Sequence, residues 1–480
     1  MIARARRRTE LGLLIIAVLI TGGLYTLVSL GRNAKIPANI GPFLAVIFAL
    51  FFLAHLAVRR FAKGADGLLL PCAALLNGIG YVFIARIDEA KLEPKGLAGL
   101  QAGWTALGVA AFIATLIVVP RARDLQRYRY TFLFLGIIAI MLPLVPGLGR
   151  TINGAKIWIY IGPASIQPGE LAKIIFAIFF ASYLVEKREL LGMATFPKAR
   201  PVLPDLRHLG PVMAAWGVTL LVLIAEKDLG SALLFFALFI LLVYVATGRA
   251  AYTVVGFGLF LAGAALAYKA ESHVRLRFDT WLNPWSDPDD GGFQIIQGTF
   301  AMSSGGITGT GPGLGRSESI PIAETDFIFA AIGEELGLLG ATAIILSFLL
   351  MVGCGLRIAS RAKGQFEKLL ATGLTILLGV QSFLIMGGVT RVLPLTGLAL
   401  PFVSYGGSSL LANYILLALL LRISDDEAKR AGEVEPRTPR QRPEPRPDPG
   451  PKVSLGKGDE AKTVMVGGND DGGGERTVIV

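Results

Sequence analysis

The chain is 480 residues long, 53% hydrophobic and only 17% charged, and its 46 Lys and Arg outnumber 35 Asp and Glu for a net charge of +11. A charged fraction well below the roughly 25% of soluble domains, with a mean hydropathy of +0.61, excludes a soluble globular fold and predicts an all-α polytopic membrane protein. Basic loops on one membrane face account for the positive charge, so membrane lipids are expected as partners and nucleic acid is not.

Apolar blocks of about 20 residues, the length that crosses a bilayer, predict about twelve transmembrane helices. They are centred on 11–30, 38–58, 67–87, 100–120, 129–147, 168–186, 209–226, 228–247, 250–269, 326–355, 367–390 and 401–422. The first is too long for the apolar region of a signal peptide and lacks a small-residue cleavage pattern, so it reads as a span. Basic residues fill alternate loops: Arg4, Arg6, Arg7 and Arg8; Arg59, Arg60 and Lys63; Arg121, Arg123, Arg127 and Arg129; Lys187, Arg188, Lys198, Arg200 and Arg207; Arg249; and Arg357, Arg361, Lys363 and Lys368. The positive-inside rule makes these loops, and both termini, cytoplasmic. The segments 148–167 and 270–325 then face outside, the second as a large extracytoplasmic loop. From 424 the composition turns to Pro, Arg, Glu and Gly, which predicts a disordered cytoplasmic tail over 424–480. Two echoes in it, 462–466 and 476–480, each hold a Thr (Thr463, Thr477). They suit either a plain tether or a phosphorylated docking segment.

Cys72 and Cys354 lie in apolar blocks and read as small core residues. His55, His208 and His273 are scattered, and no His/Cys group has metal-ligand spacing. No phosphate-binding nucleotide motif is present.

The chemistry-bearing residues crowd the outer face. Glu170 and Lys173, at i and i+3 behind Pro168, form a helix-start ion pair or a functional pair at membrane depth. Trp158 is either an interfacial anchor or a platform for a sugar ring. Asp228, after Glu226 and Lys227, suits a helix cap. The loop 270–325 offers Arg275 and Arg277 for phosphate, Gln297, and a glycine run (Gly305 to Gly315) that reads as a flexible roof. Asp326 opens an apolar span, where its ordinary role is an N-cap. Glu334 and Glu335 follow two turns on, more carboxylates than capping needs. A polar, Gly-rich segment from Thr390 to Ser409 completes the set.

These residues, in this order, resemble the SEDS family, which includes RodA and FtsW. The resemblance is carried by Asn153-Gly154-Ala155-Lys156 with Trp158, Gln167-Pro168-Gly169-Glu170 with Lys173, Asp228-Leu229-Gly230, Gln297, Ser304-Gly305-Gly306, Glu324-Thr325-Asp326-Phe327-Ile328-Phe329, Gly333-Glu334-Glu335-Leu336-Gly337, and Pro401-Phe402 with Ser404-Tyr405-Gly406-Gly407-Ser408-Ser409. Residues 61–423 would form the shared core, and residues 1–60 two additional N-terminal helices. The chain departs from the family pattern where Lys227 replaces a Pro, Arg391 a Gly, and a residue near Ile385 an Asn.

The resemblance implies a peptidoglycan glycosyltransferase, RodA-like, that polymerises lipid II on the outer face of the cytoplasmic membrane for elongation or division. Its partner would be a class B penicillin-binding protein. Asp326 would be the catalytic base, taking the proton of the acceptor 4-hydroxyl. Lys156, Trp158, Glu170, Lys173, Arg275, Arg277, Gln297, Thr325, Glu335 and Ser404 would bind substrate. No cofactor is fixed by the resemblance; a divalent cation, Mg or Mn, is one route to the diphosphate charge. A lipid II flippase and a non-catalytic scaffold for a transpeptidase are the competing classes.

Overall fold

The computed structural model describes residues 2–432 apart from 38–39, 92, 94, 153–154, 162–163, 193–216 and 218–225. The expected span 209–226 apart from Gly217 and Glu226, the basic residues Lys198, Arg200 and Arg207, Asn153 and Gly154, and the tail beyond 432 with its two echoes therefore lie outside the described residues.

The elements in chain order are α1 (Ile2–Asn33), α2 (Ile40–Phe61), α3 (Leu69–Ala90), α4 (Leu97–Val118), α5 (Arg129–Met141), strands β1 (Gly149–Ile152), β2 (Ala155–Ile161) and β3 (Ala164–Ile166), and α6 (Pro168–Gly192). They continue with α7 (Leu229–Thr247), α8 (Ala250–Ala270), α9 (Ser272–Leu282), α10 (Phe293–Gly305), α11 (Ile328–Arg361), α12 (Gln365–Val389) and α13 (Gly407–Arg430). Among the described residues 11 helices are long and apolar enough to cross a membrane, and they fall on the expected spans other than 209–226. The chain is a multi-pass membrane protein.

The bundle places its most buried helices, α3, α6, α12 and α13, at the centre. α13 packs on α4 and α6, and α12 on α6, α7 and α11. The rim is apolar outwards: Phe134 and Ile138 of α5 and Val254, Phe257 and Leu266 of α8 are exposed. In lipid such a surface is stable because each helix satisfies its backbone groups internally. α1 and α2 form a hairpin in which α1 packs on α3 and α2 on α4. Its interior holds the buried pair Glu10 and His55, Oε1 to Nδ1 2.9 Å.

Three expectations are corrected. The segment 148–167 is not a plain loop but a three-stranded antiparallel sheet in the order β1-β2-β3, with Arg150 opposite Trp158 and Ile159 opposite Ile166. The segment 270–325 is not structureless, since it contains α9 and α10. The expected start of the tail at 424 falls inside α13. There Arg422 donates to the carbonyls of Phe61 and Leu116, Asp425 accepts from the Gly64 amide, Asp426 from the Ala122 amide and Glu427 from the Lys363 amide. These bonds tie three interhelical segments, and the ends of α2 and α4, to one helix end.

The glycine run is also ordered, and α11 explains why. Gly337 breaks the helix with φ 64° and ψ −164°, a backbone state open to Gly and costly for other residues. The break frees carbonyls and amides that must be paired inside a membrane protein. The carbonyls of Glu334 and Glu335 accept from the amides of Thr310 and Gly311, and the amides of Leu338 and Leu339 donate to the carbonyls of Gly306 and Ile307. The segment 306–316 is thus stitched to α11 along its length.

Candidate active site

Asp326 lies in the turn 321–327 that precedes α11. It does not act as the helix cap: the N-cap position is Phe327, with no side-chain cap bond. Its Oδ1 instead accepts from Thr325 Oγ1 at 2.9 Å. The turn is fixed from two sides. Buried Ser404 donates its hydroxyl to the Thr325 carbonyl and accepts from the Leu400 amide at 2.9 Å, and the Tyr405 amide donates to the Glu324 carbonyl at 2.8 Å. On the other side Lys91, just past α3, pairs with the Glu324 carboxylate at 2.6 Å. Asp326 itself is half-buried and enters no ion pair among the described residues.

Arg277 brings the facing cation. It sits on α9 and donates to the Leu395 carbonyl at 3.2 Å. α9 is held there by a reciprocal pair, Trp281 Nε1 to the Arg391 carbonyl and the Arg391 guanidinium to the Trp281 carbonyl, at 3.0 and 3.2 Å. Burial pushes the Asp326 carboxyl above its ordinary value, and this outweighs the lowering by Thr325 and Arg277. Burial also depresses Arg277, against the opposing pull of Asp228 and Asp326. The three charges therefore share one poorly solvated neighbourhood. Asp228 fills the expected cap, accepting from the Ser231 amide at 3.0 Å.

A second polar set lies at the start of α6. Lys173 Nζ is 2.6 Å from Glu170 Oε1 and 3.1 Å from Gln381 Oε1, all three buried, and Gln381 donates on to the Ala399 carbonyl at 2.7 Å. The amide of Gln167 donates to Ser408 Oγ at 2.9 Å. Both bonds connect α6 to the segment 399–408 that also carries Ser404. β2 is anchored beside this set, its Lys156 amide donating to the Glu226 carbonyl at 3.1 Å. Lys156 and Trp158, two residues apart on β2, share a face and are half-buried. Lys156 Nζ meets the Leu144 carbonyl at 3.2 Å. Gln297 is half-buried on α10 and makes no side-chain hydrogen bond to a described residue.

Three of the expected substrate-binding residues have other occupations. Arg275 is turned to the end of α8, donating to the carbonyls of Tyr268 and Lys269 at 3.3 and 3.1 Å. Ser404 has its hydroxyl committed to the Asp326 turn. Glu335 is fully buried, with Oε1 2.5 Å from Arg86 Nε and Oε2 accepting from the Gly313 amide at 2.7 Å. Its neighbour Glu334 accepts from the Arg316 amide at 2.8 Å, and Arg86 reaches Glu318 at 2.6 Å and the Gly315 carbonyl. These carboxylates hold the glycine run rather than face a ligand. Arg86, Lys91 and Gln381 were not singled out from sequence. Arg86 alone had a local signal, an ionisable residue within an apolar span.

Among the described residues no group of three or more His, Cys, Asp or Glu is placed to hold a metal ion. Glu324, the nearest carboxylate to Asp326 in sequence, is already paired with Lys91.

A family model described as a cell cycle protein of the FtsW, RodA and SpoVE type matches residues 66–429. The chain is 46% identical over 437 residues to the peptidoglycan glycosyltransferase RodA of Mycobacterium tuberculosis, covering 90% of this chain and 93% of that protein. It is 37% identical over 366 residues to a probable peptidoglycan glycosyltransferase FtsW of Geobacter metallireducens, covering 75% and 94%. Among solved structures, a chain of a peptidoglycan synthase complex that coordinates polymerization and crosslinking is similar at a TM-score of 0.62 and 25% identity, over 76% of this chain and 98% of that one. The rod shape determining protein RodA of Thermus thermophilus shares the fold at a TM-score of 0.52 and 23% identity, over 76% and 97%. The chain belongs to the FtsW/RodA/SpoVE family, the SEDS proteins.

Proposed function

We infer that this chain is a peptidoglycan glycosyltransferase that polymerises lipid II with Asp326 as its general base. The observation that carries the role of Asp326 is its setting: a half-buried carboxyl at one end of the membrane bundle, free of capping and, among the described residues, of ion pairing, in a turn fixed by Ser404, Tyr405 and Lys91. A base of this kind needs a raised pKa and a rigid position. It takes the proton from the acceptor 4-hydroxyl as that oxygen attacks the donor sugar carbon. The polyprenyl diphosphate leaves from the opposite side, and inversion gives the β-1,4 bond. Arg277 and Lys156 are the cations best suited to the diphosphate, since Lys173 is neutralised by Glu170 and Arg275 is turned away.

The basic residues Arg59, Arg60, Arg357 and Arg361 lie at the end of the bundle opposite Asp326, which supports an outward-facing site in the cytoplasmic membrane with both termini inside. The similarity to a synthase complex that coordinates polymerization and crosslinking supports a class B penicillin-binding protein as partner.

The test is incubation of purified protein with lipid II, with and without that partner, and separation of glycan strands on a gel. Asp326→Asn is expected to lower polymerisation at least ~100-fold, the scale of a lost general base, while the protein remains folded. Full activity of Asp326→Asn removes Asp326 from the chemistry. Transbilayer movement of lipid II without polymer would make the protein a flippase, and failure to polymerise under every condition would leave a scaffold.

A further inference from the structure

α1 and α2 lie outside the region matched by the family model, which starts at residue 66. Yet the end of α1 reaches the segment that leads to Asp326. A Cβ placed on Gly31 would sit 2.2 Å from the Pro312 carbonyl oxygen, and one placed on Gly313 would sit 2.3 Å from the Val28 carbonyl oxygen. Two backbones are therefore in direct contact, closer than any side chain at Gly31 permits. The next residue, Arg32, donates to the carbonyls of Arg86 and Glu89 at 3.1 and 2.8 Å. The Glu89 carbonyl is one of the last four of α3, which have no partner within their own helix, and this helix end favours a cation. Beside this junction is a cavity of about 220 Å³ lined by Tyr25, Ser29, Arg32, Arg86 and Glu89. At this end Arg32 thus adds a polar clasp to the apolar packing of Val28, Val82 and Ala85, which are buried and line the same cavity.

The α3 end that Arg32 grips is the one that supports the active-site turn. Arg86 binds Glu335, Glu318 and the Gly315 carbonyl, and Lys91 binds Glu324, two residues from Asp326. α1 therefore touches the 306–326 segment twice, directly at Gly31 and through α3 at Arg32. We propose that the outer end of α1 positions the Asp326 turn for polymerisation, with Arg32 and Gly31 as positioning residues. The inference rests on Asp326 being the base. Neither residue touches the reacting atoms. Their effect is on turnover, because misplacing a catalytic group by about 1 Å can cost on the order of 100-fold.

The test uses the full chain. Lipid II turnover is measured as separate kcat and KM, together with amide hydrogen exchange across the protein. Arg32→Ala is expected to lower kcat about tenfold with KM within about twofold, the pattern of a lost transition-state contribution. Exchange is expected to rise in 86–91 and 306–326 and to stay unchanged in α6 and α12. Arg32→Lys, which keeps the charge but not the two-pronged geometry, is expected to fall between. Gly31→Val, which forces the 311–314 backbone away, provides a second route to the same loss. Unchanged kcat in both Arg32→Ala and Gly31→Val overturns the proposal. So does a rise in exchange spread evenly over the bundle, which would make α1 a general fold element. The exchange readout does not depend on Asp326 being the base, so an active Asp326→Asn would refute that role without deciding this one.

Discussion

Lys91 and Glu324 form an ion pair of 2.6 Å in which the carboxylate side chain is only 8% exposed and the ammonium side chain 24%. It joins the end of a central helix to the turn bearing Asp326, across more than 200 residues of chain. Lys91→Met leaves the Glu324 carboxylate buried without its cation. Breaking a buried pair costs about 3–5 kcal/mol, reduced here because the lysine is partly solvated. The expected result is a lower thermal midpoint in detergent and slower polymerisation. Lys91→Met combined with Glu324→Gln should recover most of the stability, since no unpaired charge remains. A double-mutant cycle with no coupling would show that the pair holds nothing.

The pH dependence of the rate follows from Asp326. Its carboxyl is raised above the ordinary 3.8, chiefly by burial, and lowered in part by Thr325 and Arg277. The base acts ionised, so activity is present above the raised pKa and falls as pH drops through it. The acid limb of kcat/KM is therefore expected above the pH at which an exposed Asp titrates. Arg277→Gln removes a cation that favours the carboxylate and should move this limb to higher pH. A limb that stays in place in Arg277→Gln would mean that Arg277 does not act on Asp326.

Two positions where the chain departs from the family pattern share a backbone state. Lys227 and Arg391 both have φ 61°, a left-handed conformation that costs a residue with a Cβ about 1–2 kcal/mol. Lys227→Gly is expected to raise stability by roughly 0.5–1 kcal/mol, the relief of strain less the added entropy of glycine in the unfolded chain. Lys227→Pro should destabilise the protein, because proline is held near φ −65° and cannot enter this turn. Arg391→Gly should gain less, since it also loses the bond to the Trp281 carbonyl. Thermal midpoints of the three variants, ranked in that way, are the check.

The helices were legible because an apolar run of span length has few alternatives in a membrane protein. The sheet was legible in principle. The run from Ala155 to Ile161 alternates Lys156, Trp158 and Tyr160 with Ile157, Ile159 and Ile161, the period of a strand. Residues 424–430 read as part of the Pro-, Arg-, Glu- and Gly-rich tail that follows them. The partners of Asp425, Asp426 and Glu427, which are Gly64, Ala122 and Lys363, are distant in sequence, and no local pattern announces them. The same limit hid the role of Glu335, whose cation Arg86 lies on α3. Asp326 was distinguished from Glu334 and Glu335 by resemblance. What separates them physically is partner occupancy: both glutamates accept hydrogen bonds from the glycine run, and Asp326 does not.

Glu226 offers a titration outside the proposed chemistry. It sits in the turn before α7, is buried, and receives no hydrogen bond at its carboxylate from a described residue. Burial, with Asp228 adding repulsion, pushes its pKa from 4.5 up to about 8. Between those two values the folded state holds a proton that the unfolded state releases. The folded protein then binds more protons, so stability falls as pH rises through this window, and the contribution is fully lost above about 8. At roughly 1.4 kcal/mol per pKa unit, the effect is on the order of a few kcal/mol. Glu226→Gln keeps the shape of the neutral carboxyl and cannot ionise. Its thermal midpoint is expected to match the wild type near pH 5 and to exceed it near pH 8.5. Parallel midpoint curves for the two proteins over that range would show that Glu226 is ionised in the fold.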